Sequence, residues 1–475
     1  MDEREHLQWL SATLTTDEEI SRTVELKSST HLGADLWPQL PASWQARAHS
    51  AAQQRYSHVF EGVAGAAGPW WPLRPMVISG AFHQELGELS DRLAVLVLEA
   101  CQRRAGTAGE LLDLLGMPAE QVPLLRKDEP LGEHLIEATR ADVVLDQGIP
   151  KFVEINIDGA VGGTAQADLV SSRFHSVLEA ELPGLGLTVP PSAVDSRFTQ
   201  IRAQFDGAGK VHLAIPLYEH GILPGAATET DRIRRHKPMV DSARRLGIVA
   251  VPCPWRELCN DAEFRLIAGE TRFDAVLRLF ITAVEPPSEG FTALINSVQH
   301  GTVQMHTPEA SWLLSNKNVL AWLWADIEHL APEDQRFVRT HVPWTGIVGP
   351  EREDTIRQAI THRQDWVLKP ANGHGGDGVV LGHAVNDETW RNALHRAVAT
   401  GGHILQRFVQ ADQMDMAFYD DRTGTVHSES VPFVLGPFLF GRQISNIFVR
   451  HGCPGGGQVI NALQGSAMNT ILVAP

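Results

Sequence analysis

The sequence predicts a mixed α/β (α+β) protein with more than one domain. At 475 residues the chain is too long for one simple core, so two to four domains or subdomains are expected. From about residue 211, strand-like and helix-like runs alternate, and this order is typical of a parallel sheet covered by helices. The last third contains many short apolar runs that read as strands.

The composition excludes several classes of protein. A formal net charge of -17 argues against a nonspecific nucleic-acid surface, and no apolar run approaches the roughly 20 residues needed to cross a bilayer. The acidic N-terminus lacks the layout of a signal peptide, and the four cysteines show no metal or disulfide spacing. We expect a cytoplasmic protein without nucleic-acid or membrane partners. The sequence does not indicate an oligomeric state.

Residues 1–130 form the first predicted region, which reads mostly as helix and loop. Its clearest element is an amphipathic helix over 82–104, because apolar residues recur there at helical spacing. We see no candidate catalytic residue in this region.

The second predicted region, 131–195, contains the stretch RADVVLDQGIPKFVEIN at 140–156. If this stretch is a hairpin centred on its glycine, residues whose numbers sum to 296 face one another. Asp142 then lies opposite Glu154, and Arg140 lies opposite Asn156. Because strand side chains alternate with period two, all four point to one face.

The opposite face of this predicted hairpin is apolar, with Val143, Val153 and Ile155. Two carboxylates held side by side repel each other unless a cation lies between them. Together with an amide oxygen they are the hard ligands that Mg²⁺ accepts alongside phosphate oxygens, and the arginine could hold a transferring phosphoryl group. The alternative is a solvent-exposed hairpin face with an Arg–Asp ion pair.

The third predicted region, 196–310, has the order strand, helix, strand, strand, which indicates a parallel sheet. Its helix carries a basic cluster, which we interpret as a solvated face rather than a phosphate site: Arg232, Arg234, Arg235, His236 and Lys237.

The fourth predicted region, 311–475, contains a glycine-rich loop between two strand-like runs. A dinucleotide-binding fingerprint needs a helix after the glycines, whereas the β-branched run VVLG follows here, so we expect a hairpin flap that covers phosphates through backbone N–H groups. The glycines of this flap are Gly373, Gly375, Gly376 and Gly378.

Two of the seven lysines of the chain are candidates to reach a polyphosphate. Lys369 comes just before the flap, and Lys317 begins a predicted helix upstream. Two lysines, a glycine flap and an acid pair are the recurring parts of an ATP phosphoryl-transfer site. The alternative for Lys317 is that it merely begins a helix.

These pieces resemble the ATP-grasp ligases, specifically the circularly permuted branch that includes glutathionylspermidine synthetase. The matching pieces are RADVVLDQGIPKFVEIN, LLSNKNVLAWLW, VLKPANGHGGDGV, ILQRFV and GPFLFGRQISNIFVRHG, which occur in the family's order. The resemblance implies a permuted ATP-grasp fold with a metal-binding half at 131–195, a pre-ATP-grasp α/β domain at 196–310 and a nucleotide-binding lobe at 311–475.

The resemblance also implies roles for individual residues. Asp142, Glu154 and Asn156 would bind Mg²⁺, while Arg140 and Arg450 would steady the transferring phosphate.

On the nucleotide side of the implied site, Lys317, Lys369 and the flap would contact the phosphates of ATP. Gln406 would lie near the adenine, although it could also be an ordinary strand residue.

The chemistry implied is ligation of a small carboxylate to an amine through an acyl phosphate, with release of ADP and phosphate. The run IDGAVGGTAQ after Asn156 departs from the family, which counts against a polyamine or glutathione as the substrate, so an amino acid or a specialised-metabolite carboxylate is an equal candidate. Two other functions stay open: a phosphotransferase acting on a hydroxyl or nitrogen, and a noncatalytic nucleotide-binding protein of the same fold.

Overall fold

The computed structural model describes residues 35–61, 63, 69–217, 228–373, 375–456, 460 and 465–475. In chain order its strands are β1 (Trp70–Pro72), β2 (Met76–Ser79), β3 (Ala138–Asp146), β4 (Ile149–Ile157), β5 (Val211–Leu217), β6 (Ile248–Pro254), β7 (Cys259–Asn260), β8 (Leu266–Ala268), β9 (Thr271–Arg272), β10 (Ala275–Leu277), β11 (Gln304–His306), β12 (Thr345–Ile347), β13 (Trp366–Pro370), β14 (Val380–Leu381), β15 (His403–Arg407), β16 (Gln413–Asp420), β17 (Thr425–Phe440), β18 (Gln443–His451) and β19 (Ala467–Ala474).

The α-helices of the described residues cover the faces and ends of the sheets. They are Ala42–Gln54, Tyr56–Val59, Gly80–Gln102, Ala108–Leu115, Thr164–Glu181, Ala193–Ala203, Glu229–Arg235, Lys237–Arg245, Glu289–Gln299, Ala310–Leu313, Asn318–Ala325, Pro332–His341, Glu353–Thr361 and Asp387–Thr400. Among these helices, none has both the length and the apolar character needed to cross a membrane.

The largest sheet has eight strands and carries the hairpin of interest. Its main path is β1-β16-β17-β18-β19-β2, and β3 with β4 branches from β17. The pairs are antiparallel except β19 with β2, which run parallel. Strand β17 is sixteen residues long, so its first half pairs with β16 while its second half lies between β18 and β3. The β3–β4 hairpin is therefore supported by the centre of this sheet.

The helix predicted over 82–104 is present as Gly80–Gln102. Ser79 begins it by accepting a hydrogen bond from the Phe82 N–H, and one face buries leucine and valine side chains in the main core. A Cβ added at Gly87 would lie 2.8 Å from Ile444 of β18, so a glycine lets the helix approach the sheet closely. This helix fixes one side of the sheet that carries the hairpin.

A separate sheet of four parallel strands, in the order β11-β10-β5-β6, confirms the strand–helix–strand prediction for the middle of the chain. The single helix predicted between β5 and β6 is instead two helices, because Pro238 occupies the first turn of the second and cannot continue the first. Most of its basic side chains are exposed, but His236 is buried and bonds the Arg232 carbonyl.

Two further sheets complete the architecture of the described residues. The antiparallel sheet β12-β15-β13-β14 contains the glycine loop, since β13 and β14 are the two arms of a hairpin around it. Trp366 and Trp390 fill the core beneath it. The other sheet, β7-β8-β9, is formed by the segment of the chain between β6 and β10 of the parallel sheet. The division of the chain into four domains stays a prediction.

Candidate functional site

The β3–β4 hairpin has the predicted register in its outer half. Asp142 pairs with Glu154 and Arg140 pairs with Asn156. Nearer the turn the predicted register is wrong by one residue, because Val153 forms a β-bulge and Val143 faces Phe152.

Because of the bulge, the apolar face of the hairpin differs from the predicted one. Val143 and Ile155 lie in the main core as expected, but Phe152 occupies the core in place of Val153, which is only half-buried. The centre of the turn is therefore between Gln147 and Gly148, both of which have positive φ angles. The carboxylate of Asp412 accepts hydrogen bonds from both of their backbone N–H groups and holds this tight turn.

Asp142 is the centre of an ionic cluster on the polar face of the hairpin. Its Oδ1 lies 2.8 Å from Arg450 Nη2 of β18 and 3.5 Å from Arg140 Nε. Burial raises the pKa of the Asp142 carboxyl, but the charges of the two arginines outweigh burial and hold that pKa below its usual value. Arg140 also donates to the Gly162 carbonyl at 2.9 Å. The structure thus brings both predicted phosphate-facing arginines to one predicted metal ligand.

Glu154 faces one of the two lysines. Its Oε1 lies 3.3 Å from Lys317 Nζ, which also donates to the Gly373 carbonyl at 3.2 Å. Lys317 comes immediately before the helix Asn318–Ala325, and its own backbone N–H donates to the Ala371 carbonyl. The Lys317 ammonium therefore links the hairpin to the start of the glycine loop.

Lys369 of β13 reaches the same hairpin at the bulge. Its Nζ donates to the Val153 carbonyl at 3.2 Å and to Gln406 Oε1 at 2.7 Å. The pKa of this ammonium is lowered to about 8, mainly by burial; Glu154 offsets part of the effect, and nearby Lys317 acts in the same direction as burial.

Both ends of the Gln406 side-chain amide take part in this arrangement. Its Nε2 donates to Thr345 Oγ1 at 3.0 Å, and that hydroxyl donates in turn to the Pro343 carbonyl at 2.8 Å. Because the hydroxyl proton is used on Pro343, the hydroxyl can only accept from Gln406, which turns Oε1 toward Lys369. The structure places Gln406 against a lysine, and its predicted place near adenine stays a prediction.

The glycine loop between β13 and β14 has the predicted hairpin form. Gly375, Gly376 and Gly378 adopt positive φ angles of 67°, 77° and 70°, which side chains rarely adopt. A Cβ at Gly378 would also lie 2.8 Å from Pro370 Cγ, whereas one at Gly373 would make an ordinary contact with Pro370. His374 within the loop lies outside the described residues.

The oxygen atoms on the hairpin fit a hard dication. Asn156 donates through Nδ2 to the Arg140 carbonyl at 3.3 Å, so its Oδ1 remains available as an acceptor beside the carboxylates of Asp142 and Glu154. Within the described ranges no group of three or more His, Cys, Asp and Glu side chains is suited to a metal. A set of two carboxylates and one amide would need further oxygen ligands, such as those of phosphates.

Two residues at the site, Asp158 and Thr345, were not among the residues predicted from the sequence. Asp158 continues the alternation of Glu154 and Asn156 along β4, and its Oδ2 lies 2.8 Å from Arg278 Nη2. The alternation could have suggested Asp158, because it extends the same face by one step. Thr345 had no such signal, since its role depends on a contact between β12 and β15.

No family model matches the chain. Over 140 residues it is 24% identical to the ATP-grasp enzyme ankG of Aspergillus thermomutatus, an alignment that covers 25% of this chain and 29% of that protein. The match therefore spans less than a third of the curated relative. Among solved structures, the fold is similar to that of a glutathione synthetase like-effector (GSS30) from Globodera pallida in its apo form, with a TM-score of 0.54 and 13% identity over 85% of this chain and 90% of that chain. The fold of this chain is thus similar to that of a glutathione synthetase-like protein, and part of its sequence resembles an ATP-grasp enzyme, as predicted from the sequence, while the circular permutation stays a prediction.

Proposed function

We propose that this protein is an ATP-dependent carboxylate–amine ligase that forms an amide bond through an acyl phosphate. The observation that carries the proposal is the convergence of four cationic side chains on one face of a hairpin that offers two carboxylates. The four cations are Arg140, Lys317, Lys369 and Arg450, and the two carboxylates are Asp142 and Glu154.

The excess of positive charge suits a bound polyphosphate. Two of the four cations are balanced by the two carboxylates, so the remaining positive charge favours the anionic oxygens of ATP. Asp142, Glu154 and Asn156 would hold a dication, which when bound would supply positive charge to the phosphate oxygens. The lysines and the glycine loop would hold the phosphates on the other side.

Phosphoryl transfer is the first of two steps in the proposed reaction. An oxygen of the substrate carboxylate bonds to the γ-phosphorus of ATP while the bond from that phosphorus to the β–γ bridging oxygen breaks, which releases ADP. Arg140 and Arg450 flank Asp142 and would hold the transferring group. Charge on the equatorial oxygens is the main feature that such a site stabilises.

Attack by the amine is the second step. The nitrogen bonds to the acyl carbon, loses a proton, and phosphate departs as its bond to that carbon breaks. This step needs placement of the amine and no covalent enzyme nucleophile.

The proposal includes ATP, Mg²⁺, and small-molecule carboxylate and amine substrates. The chain order, with the acids of β3 and β4 before Lys317 and Lys369, supports a circularly permuted arrangement of the fold. A role in specialised-metabolite biosynthesis and a cytoplasmic location are also part of the proposal; they rest on the sequence.

Product analysis with MgATP tests the proposal. The purified chain is incubated with MgATP and a pool of low-molecular-weight metabolites, with and without hydroxylamine, and the products are identified by mass spectrometry. We expect ADP in both reactions and hydroxamates with hydroxylamine, because hydroxylamine traps acyl phosphates. AMP with pyrophosphate, a stable phosphorylated product without hydroxamate, or no turnover would contradict a ligase.

A further inference from the structure

The carboxyl-terminal edge of the parallel sheet lies against the end of the β3–β4 hairpin. Arg278 follows β10 directly, and His306 is the last residue of β11. A Cβ added at Gly159, just after β4, would lie 2.7 Å from the Arg278 carbonyl oxygen and 3.3 Å from that of His306. The chain that leaves the candidate site therefore packs directly on this edge.

This edge is where an open parallel sheet usually binds ligands. In the order β11-β10-β5-β6, strand β5 has β6 on one side and β10 on the other, so the strand order reverses beside β5. Ligands of such sheets bind outside the carboxyl ends of the strands at that reversal. The position of the edge beside the hairpin makes it a candidate for the substrate side of the site.

Arg197 is a buried cation at this edge that forms no ion pair within the described part of the chain. It belongs to the helix Ala193–Ala203, is 1% exposed, and lies over the ring of Phe440 with its Cζ 4.8 Å from the ring centre. None of its three guanidinium nitrogens has a hydrogen-bond partner, and it forms no ion pair, among the residues that the structure describes. Leaving five N–H donors unused inside a protein is costly, so this arginine calls for a ligand.

His306 is buried in the same way. It is 1% exposed, and neither ring nitrogen has a hydrogen-bond partner within the described ranges. Burial lowers the pKa of the imidazole to about 3, and the charge of Arg197 contributes to the same direction. The imidazole is therefore neutral at physiological pH and offers one N–H donor close enough to Arg197 to sense its charge.

Strand β4 sets the distance between this edge and the proposed phosphate site. Val153 and Glu154 contact the two lysines, whereas Asp158 holds Arg278. From Glu154 to Asp158 the strand advances four residues, or roughly 13 Å at about 3.3 Å per residue. A small substrate can span that distance with one end at the transferring phosphate and the other at the edge.

We propose that Arg197 and His306 bind a carboxylate group of a substrate, and that this carboxylate group is not the one that receives the phosphoryl group. A planar guanidinium offers two parallel N–H groups to a carboxylate, and the imidazole supplies a further donor. A doubly charged phosphate is disfavoured because the negative charges of Asp158 and Asp168 also act at Arg197. This inference rests on the proposed ligase function and names the substrate class of that same site.

Two sources supply this chemistry. One is the α-carboxylate of an amino acid that serves as the amine. The other is the second carboxylate of a dicarboxylic acid that serves as the acyl donor.

Paired acids and amides test the proposal and separate these sources. One series contains the proteinogenic L-amino acids and their C-terminal primary amides, added as acceptors with MgATP and a carboxylate pool. The other contains succinate, glutarate and their monoamides, added as donors with MgATP and hydroxylamine. One of the two series contains the substrate whose carboxylate is bound by Arg197 and His306. In that series, we expect the wild-type kcat/KM to fall at least 100-fold when the acid is replaced by its amide, mainly because KM rises.

The variant Arg197→Gln should lose this discrimination. We expect it to use acid and amide equally, at the low level of the wild type with the amide, while its affinity for MgATP is unchanged. His306→Gln should weaken discrimination by about tenfold, and it provides an independent reading if Arg197→Gln fails to fold. Arg202→Gln is the matched control, because Arg202 lies on the same helix and its half-buried side chain donates to the carbonyls of Ala208 and Gly209.

Failure of this inference differs from failure of the proposed function. If the wild type forms hydroxamates from the metabolite pool but treats acids and amides alike, or uses neither series, the carboxylate subsite is wrong and the ligase stands. If Arg197→Gln and His306→Gln both retain full discrimination, the subsite is likewise wrong. If no substrate yields ADP, the ligase itself is wrong and the inference falls with it.

Discussion

Lys369 Nζ lies 2.7 Å from Gln406 Oε1 and 3.2 Å from the Val153 carbonyl, so a neutral amide and a bulged peptide hold the buried ammonium. Neither partner is charged, and the pKa of Lys369 is consequently free to fall to about 8 under the effect of burial. Near neutral pH this lysine is mostly protonated, but its pKa of about 8 lies only a little above that pH. Its charge therefore depends on what else enters the site.

We predict that MgATP binding weakens as pH rises above about 8. Phosphate oxygens favour the charged lysine, so binding raises its pKa and the complex takes up a proton between the free and bound pKa values. Calorimetric titration at pH 8.5 in buffers of different ionisation enthalpy measures this uptake. Gln406→Glu should shift the alkaline loss of affinity to higher pH, because a carboxylate at 406 raises the pKa of Lys369. Lys369→Met should abolish the uptake, and uptake that persists in that variant would assign the proton to another group.

Replacement of one predicted metal ligand should stop turnover without unfolding the protein. We predict that Glu154→Gln lowers MgATP turnover at least 100-fold, because the amide has no charge to offer a dication or Lys317. The rate of ADP release and the thermal unfolding midpoint are the two measurements. Glu328→Gln is the matched control, since Glu328 is an exposed partner of Arg339 far along the chain from the hairpin. Near-normal turnover of Glu154→Gln would remove this residue from the metal site.

Loss of the Asp142 charge should destabilise the fold. We predict that Asp142→Asn lowers the free energy of unfolding by about 3 kcal/mol, because Arg450 and Arg140 are left buried without a counter-charge. The folded-state pKa of Asp142 lies below its usual value, so the stabilisation is present at neutral pH and is lost as pH falls into the acid range.

Urea unfolding at pH 7 and at about pH 2, well below the ordinary pKa of an aspartate, measures this effect. The difference between wild type and Asp142→Asn should shrink at the lower pH, where Asp142 is protonated in the folded protein as well. Asp387→Asn removes the charge of an exposed ion pair with Arg363 and should leave stability unchanged. An Asp142→Asn variant as stable as the wild type would show that the arginines do not need this carboxylate.

The glycine loop allows a matched pair of substitutions. We predict that Gly378→Ala weakens MgATP binding about tenfold, because its φ of 70° is strained for alanine and the new Cβ meets the Pro370 ring at 2.8 Å. Gly373→Ala should bind normally, since its Cβ makes only an ordinary contact at 3.5 Å. Equilibrium binding of MgATP to both variants tests this. Equal affinities would mean that the loop backbone at 378 does not shape the site.

Local sequence patterns predicted the parts of the molecule that depend on neighbours in the chain. The alternation in 140–156 gave the pairing of Asp142 with Glu154, and the strand-like run after the glycines gave a hairpin instead of a helix. The bulge at Val153 was not predicted, because an inserted residue is not recognisable in a short alternating run. The contact of Lys369 with that bulge was therefore also beyond prediction.

Residues that meet only in three dimensions could not be found from the sequence. Arg197 reads as one more helical arginine, and His306 reads as a residue at the end of a short strand. Their common environment arises because a helix, the edge of the parallel sheet and the turn after β4 pack together. The thirty-four N-terminal residues, and with them part of the first predicted region, lie outside the described residues.

The bulge at Val153 has a consequence for how this hairpin tolerates change in length. Without Val153, Phe152 would directly precede Glu154 and remain on the core face, so the two strands would pair regularly from end to end. The sheet does not require the additional residue. Its carbonyl, however, is the backbone acceptor for Lys369. Deletion of this single residue would therefore leave the hairpin able to form while removing one of the two anchors of that ammonium.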